Sequence, residues 1–136
     1  MAGGLPLSAL LLDSCTLLWL VGDQQRLSPV ATQLLQANAG SLFISAISAF
    51  EIGRKHALGK LGLPVPAQQW FERAVRTHAL IDLPVTSRHA IRSTELPSLH
   101  KDPADRIIVA TAQIERMEIV TPDPLIAAYS GIVVRW

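Results

Sequence analysis

Asp13, Glu51, Asp105 and Asp123 are four of the chain's eleven acidic residues, and each stands where an apolar segment ends or a helix begins. Four carboxylates brought together repel one another unless cations screen them. Hard divalent ions such as Mg²⁺ or Mn²⁺ prefer carboxylate and water oxygens, so the chemistry these residues suit is that of an acidic metal site. Other chemistries lack their residues. His56, His78, His89 and His100 show no H-x-x-x-H spacing, and with Cys15 as the single cysteine a structural zinc site is disfavoured. Each histidine reads as a surface or packing residue. No G-x-S-x-G elbow, G-x-G-x-x-G or G-x-x-x-x-G-K-S/T pattern occurs. A phospho-aspartyl hydrolase would carry D-x-D where this chain has Asp13-Ser14-Cys15, and a receiver domain would want paired acids and a late lysine, whereas no lysine follows Lys101.

The elements that must position these acids follow from apolar pattern and capping. Ala9-Leu10-Leu11-Leu12 before Asp13, and Ile119-Val120-Thr121-Pro122 before Asp123, read as short buried strands of a parallel sheet, whose carboxyl ends face ligand crevices. Residues 15–20 form a short apolar helix. Ser28-Pro29 starts another with an N-cap and a proline at its first position, running to about residue 37. Residues 42–44 make a strand, and Ser45 caps a helix with Ile47, Phe50, Glu51, Arg54, Ala57 and Leu58 at spacings of three and four. That pattern puts Glu51 in the helix's first turns, beside the core-facing stripe. A helix over 67–79, a strand over 81–84 and a brief helix over 86–93 follow. Asp102 then serves as N-cap, Pro103 as first position and Asp105 as third of a helix running through Ile114, before strands at 118–120 and 132–134. The alternation predicts an α/β fold: a three-layer α/β/α sandwich around a central, mainly parallel sheet.

Taken singly, each acid also has a plainer explanation. Asp13 could only cap a helix, and Glu51 could be a helix charge paired with Lys55 four residues on. Asp105 could serve the helix macrodipole, and Asp123 could initiate a turn. Asp102 fits the cap better than Asp105 does, which leaves Asp105 freer for a ligand.

With 136 residues and 49% hydrophobic content, residues 1–136 fit a single domain, residues 1–6 forming a flexible start. A net charge of +1 does not announce a polyanion binder. Locally, Arg54, Lys55, Lys60, Arg73, Arg76, Arg88 and Arg92 face only Glu72 and Asp82, a segment that either tracks a phosphate backbone or forms solvated helix faces. A lone cysteine suits a reducing compartment. The apolar stretch over 5–21 has no basic residue before it and is interrupted by Asp13, so it predicts neither a signal peptide nor a membrane span, and a cytoplasmic protein with no membrane partner is expected.

The chain resembles the PIN-domain ribonucleases, specifically the VapC-like toxins of bacterial toxin–antitoxin pairs, over almost its whole length. Leu11-Leu12-Asp13-Ser14-Cys15-Thr16-Leu17-Leu18-Trp19 is similar to the family's opening strand, first acid and following helix, and Leu27-Ser28 to the start of its second helix. Ser45-Ala46-Ile47-Ser48-Ala49-Phe50-Glu51-Ile52, followed by Gly59-Lys60-Leu61, resembles the segment carrying the second acid. His100-Lys101-Asp102-Pro103-Ala104-Asp105-Arg106 and Val120-Thr121-Pro122-Asp123 resemble the segments of the third and fourth. Ser14-Cys15 departs from the Thr-His of many relatives, and Pro122 stands just before the last acid, but no carboxylate is lost. The resemblance implies a Mg²⁺- or Mn²⁺-dependent endoribonuclease with Asp13, Glu51, Asp105 and Asp123 as catalytic metal ligands. Ser14 and Thr121 are expected to orient ligands, and Arg106 with the basic segment to contact phosphate. It further implies an RNA substrate, a cognate antitoxin protein and a homodimer. A non-catalytic RNA- or protein-binding module and a DNA-directed nuclease stand as alternatives.

Overall fold

The structure is a computed structural model that describes residues 9–136; the start expected to be flexible, residues 1–6, lies outside the described residues. Leu10–Leu12 form β1, and all three leucines are fully buried. An uninterrupted apolar triplet needs apolar cover on both faces, which the centre of a parallel sheet supplies. β1 pairs with β2 (Leu42–Ser45) on one side, and β2 pairs with β3 (Ile81–Leu83). On its other side β1 pairs with β4 (Glu118–Val120), which pairs with β5 (Val134–Arg135). Every pairing is parallel, and the order is β3-β2-β1-β4-β5.

The helices are α1 (Ser14–Gly22), α2 (Pro29–Ala37), α3 (Ala46–Ala57), α4 (Ala67–Thr77), α5 (Ser87–Glu95), α6 (Pro103–Glu115) and a single turn, α7 (Pro124–Ala127). Side chains alternate along β1, so Leu10 and Leu12 pack in one layer with Leu17, Ala31, Leu35 and Trp70 of α1, α2 and α4. Leu11 packs in the opposite layer with Ile108, Val109 and Ile126 of α6 and α7, and α5 lies against α6. Helix α3 contributes to both layers, through Ile52 and Ile47. The expected α/β/α sandwich is the observed fold, with its sheet entirely parallel. Among the described residues no helix is long and apolar enough to cross a membrane.

Boundaries moved where a cap or a register outranked composition. Helix α1 begins at Ser14, because the Asp13 carboxylate accepts the Thr16 N–H and fixes its N-terminus. The last strand is Val134–Arg135 rather than 132–134: Ile119 N–H reaches Val133 O and Thr121 N–H reaches Arg135 O, so the neighbouring strand's register sets the pairing. Helix α4 stops at Thr77, short of Ala79, which takes φ 50°. The chain steps from β1 outward through β2 and β3, then returns past β1 to β4 and β5. The reversal between β1 and β4 is the place where a parallel sheet opens a crevice at its carboxyl edge.

Candidate active site

Asp13 and the segment 121–123 leave β1 and β4 side by side at that reversal. Asp13 is 4% exposed and uses both oxygens: Oδ1 accepts the Thr16 N–H at 2.9 Å, and Oδ2 accepts the Thr121 hydroxyl. Thr121 Oγ1 in turn accepts the Asp123 N–H at 3.1 Å, so one hydroxyl ties the first acid to the strand end carrying the fourth. Thr16 adds a second tie, donating its hydroxyl to Val120 O at 2.8 Å. Asp123 Oδ1 caps α7 by accepting the Leu125 N–H at 2.9 Å, which is the turn-initiating role expected of it; its Oδ2 turns inward.

Glu51 sits in the second turn of α3, not the first, and reaches the same place from across the crevice. It lines with Asp13, Asp102, Asp105 and Asp123 a cleft of about 340 Å³. Asp102 was expected only to cap α6. It does so through Oδ1, which accepts the Ala104 N–H at 2.9 Å, yet it also faces the cleft as a fifth carboxylate.

The electrostatics follow from crowding. Burial pushes Asp105 up to about 7, with Asp102, Glu51 and Asp13 adding like-charge repulsion and the His100 ring opposing it. Burial also raises Glu51, against the pull of Ser14 and Lys55 and with further push from Asp102. Asp13 is raised by burial despite its bonds from Thr121 and Thr16. Little positive charge offsets this: Lys55 Nζ is 3.7 Å from Glu51, on a half-exposed side chain. Among the described residues Ser14 Oγ is buried with no hydrogen bond of ordinary geometry, although it lies close enough to Glu51 to favour the ionised form. An all-oxygen donor set, short of positive charge and holding an orphaned hydroxyl, fits a hard divalent cation.

Three expectations need correction. His100, read from sequence as a surface or packing residue, sits inside the acid cluster: its Nε2 lies 2.9 Å from Asp123 Oδ2 and 3.1 Å from Asp105 Oδ2. The signal available was its place two residues before the α6 N-cap, where a ring can fold back over the helix start. Arg106 is not free to contact phosphate. Its guanidinium donates to the carbonyls of Ser93, Leu96, Pro97 and His100 and to the Tyr129 hydroxyl, clamping the α5–α6 loop. The basic segment is not one patch either, because α4, with Arg73 and Arg76, covers one face of the sheet and α5, with Arg88 and Arg92, lies on the other. Its seven cations are exposed, and of them Lys55 lines the acid cleft while Arg54 lines the adjoining groove.

A PIN domain family model matches residues 10–131. The chain is 34% identical over 118 residues to Ribonuclease VapC22 of Mycobacterium tuberculosis, covering 86% of this chain and 88% of that protein. Among solved structures, a toxin–antitoxin complex from Klebsiella pneumoniae superposes with TM-score 0.64 at 25% identity, covering 90% of this chain and 94% of that one. DNA-bound VapBC from Salmonella typhimurium gives TM-score 0.69 at 16% identity, covering 93% and 96%, a likeness of fold.

Proposed function

The chain belongs to the PIN-domain family, and from that premise we propose that it is a Mg²⁺- or Mn²⁺-dependent endoribonuclease, the toxin of a toxin–antitoxin pair. The observation that carries this reading is the convergence of Asp13, Glu51, Asp105 and Asp123 on one cleft at the β1/β4 reversal. The similarity to a protein named ribonuclease supports the reaction class.

In this reading the four acids hold the cation directly or through water. Bound there, Mg²⁺ or Mn²⁺ supplies Lewis acidity toward a phosphodiester oxygen and makes an attacking water more acidic. The chain's own residues prepare that event. Thr121 and the Thr16 N–H occupy one lone pair on each Asp13 oxygen, fixing the carboxylate's plane. Ser14 Oγ stands beside Glu51, where it favours the ionised carboxylate. Asp105, pushed up to about 7 by burial and its acidic neighbours, would have to release its proton to hold a cation. Lys55 and Arg54 stand on α3 where phosphate oxygens flanking the cleft would meet them. A partner that inserts positive charge into this acidic cleft would silence it, which is the role we assign to a cognate antitoxin; a homodimer is the proposed assembly.

The test is cleavage of a total-RNA and tRNA panel, with matched DNA oligonucleotides, by purified antitoxin-free protein in Mg²⁺, Mn²⁺ or EDTA. Metal-dependent cutting of RNA, abolished in folded Asp13→Asn and Asp105→Asn variants, is the expected result. Cutting that survives EDTA or either substitution overturns the proposal, and preferential cutting of DNA overturns its substrate class.

A further inference from the structure

His100 touches both the third and the fourth acid, and its ring chemistry is fixed by a contact on its other side. The Asp102 main-chain N–H points at His100 Nδ1 at 3.1 Å. An N–H only donates, so Nδ1 accepts with its lone pair and the ring proton resides on Nε2. That Nε2–H is donated to Asp123 Oδ2 (2.9 Å), and Asp105 Oδ2 lies 3.1 Å from the same nitrogen, so one ring edge faces both carboxylates.

His100, Asp105 and Asp123 each offer an atom within 4.8 Å of the others, a spacing that would also suit three ligands of one metal ion. The tautomer separates the two possibilities. Ligation through Nε2 needs a bare lone pair there, and moving the proton to Nδ1 would break the bond from Asp102 and leave the N-cap amide of α6 unpaired. The ring is also held in place independently of the acids. The His100 N–H donates to the Tyr129 hydroxyl at 2.9 Å, the His100 carbonyl accepts from Arg106, and Tyr129 itself is 4% exposed and donates to Pro97 O. The backbone of residue 100 is therefore gripped from α6 and from the turn that follows α7, and its side chain is 11% exposed.

We propose that His100 is a positioning residue of the cation site: its Nε2–H, locked in that tautomer by the Asp102 amide, holds Asp105 and Asp123 together through their Oδ2 atoms and does not itself bind the metal. The remaining lone pairs of the two carboxylates would then serve the ion. The inference rests on the metal-site reading above but not on the substrate. A dipole that touches both acids reduces their mutual repulsion before a cation arrives, so its removal separates them and weakens cation binding.

The experiment uses the whole antitoxin-free chain, with Mn²⁺ alone as the titrant in calorimetry and long-range ¹H–¹⁵N spectra of the imidazole with and without Mg²⁺. Expected are a protonated Nε2 and a bare Nδ1 in both spectra, and about 10–100-fold weaker Mn²⁺ binding in His100→Phe. Most of that loss should return in His100→Gln, whose amide N–H replaces Nε2–H. A proton on Nδ1, loss of the Nε2 proton on adding Mg²⁺, or wild-type Mn²⁺ affinity in His100→Phe each overturns the proposal. Should His100→Phe fail to fold, the spectra and His100→Gln decide alone: a Gln variant that binds Mn²⁺ as poorly as Asp105→Asn also overturns it. Absence of RNA cleavage, with the affinity pattern intact, sinks the nuclease reading and leaves this one standing; absence of any divalent binding by the wild-type chain sinks both.

Discussion

Two histidines in this molecule are wired alike and serve different ends. His89 Nδ1 accepts the Thr86 N–H at 3.1 Å and its Nε2 meets Glu115 Oε2 at 2.8 Å. His100 Nδ1 accepts the Asp102 N–H, also at 3.1 Å, and its Nε2 meets Asp123 and Asp105. In both, a main-chain amide beside a helix start selects the tautomer and turns the ring's one N–H outward from it. The acceptor makes the difference. Glu115 stands alone at the exposed end of α6, so the His89 bond joins α5 to α6 and does nothing more. Asp105 and Asp123 are two like charges at the sheet's crevice, so the same bond at His100 joins groups that otherwise repel. The lesson is that the residue type and its local wiring do not define a functional histidine; the destination of its second nitrogen does.

The contrast can be broken or sharpened by substitution. Arg106→Met should have the largest effect, because it strips the clamp from four carbonyls and the Tyr129 hydroxyl around the loop that presents His100. Charge-assisted bonds to largely part-buried acceptors predict a loss of about 3 kcal/mol in urea unfolding, with weaker Mn²⁺ binding in the protein that still folds. If stability falls and cation affinity does not, residue 100 is positioned by something other than this clamp. His89→Ala should cost roughly 1–3 kcal/mol in the same measurement, as a lost buried hydrogen bond, while Mn²⁺ affinity stays at the wild-type value. A change in affinity there would erase the distinction between the two histidines.

A smaller effect separates the two regions by pH. The Asp105 pKa is raised from 3.8 to about 7, so the folded chain keeps a proton that the unfolded chain releases earlier. The resulting stabilisation is full below pH 3.8 and is lost as pH rises to about 7. With chelator present, the melting temperature should therefore fall across that window. Asp105→Asn should flatten the fall and melt a few degrees higher above pH 7. The smallest effect is Glu115→Gln on stability itself, within about 1 kcal/mol, since the amide oxygen still accepts from His89 and the site is part-exposed. A larger loss would mean that this pair carries charge.

Much of the site was legible because its signals are local. Asp102 followed by Pro103 marks a helix start in any context, and Ser28-Pro29 does the same for α2. The all-leucine β1 requires burial on both faces, and the acids at strand ends follow from parallel topology. The Cys15 surroundings illustrate the limit: its place two residues after Asp13 was plain from sequence, but only the fold shows that burial pushes its thiol up to about 11 while it lines the cleft.

Local signals in the chain established that strands and helices alternate, where the caps fall, and that two carboxylates end apolar strands while two lie in helices, because propensity, capping and periodicity act over a few residues. Which side chains meet was set by the fold. The bond from Thr121 to Asp13 spans 108 positions, and the one from His100 to Asp123 spans 23. Packing turned Asp102 into a cleft residue, consumed Arg106 in a loop, divided one basic segment between two faces of a sheet and brought His100 to the acids. These outcomes depend on where elements distant in sequence come to rest, which register and layer packing fix and local propensity does not.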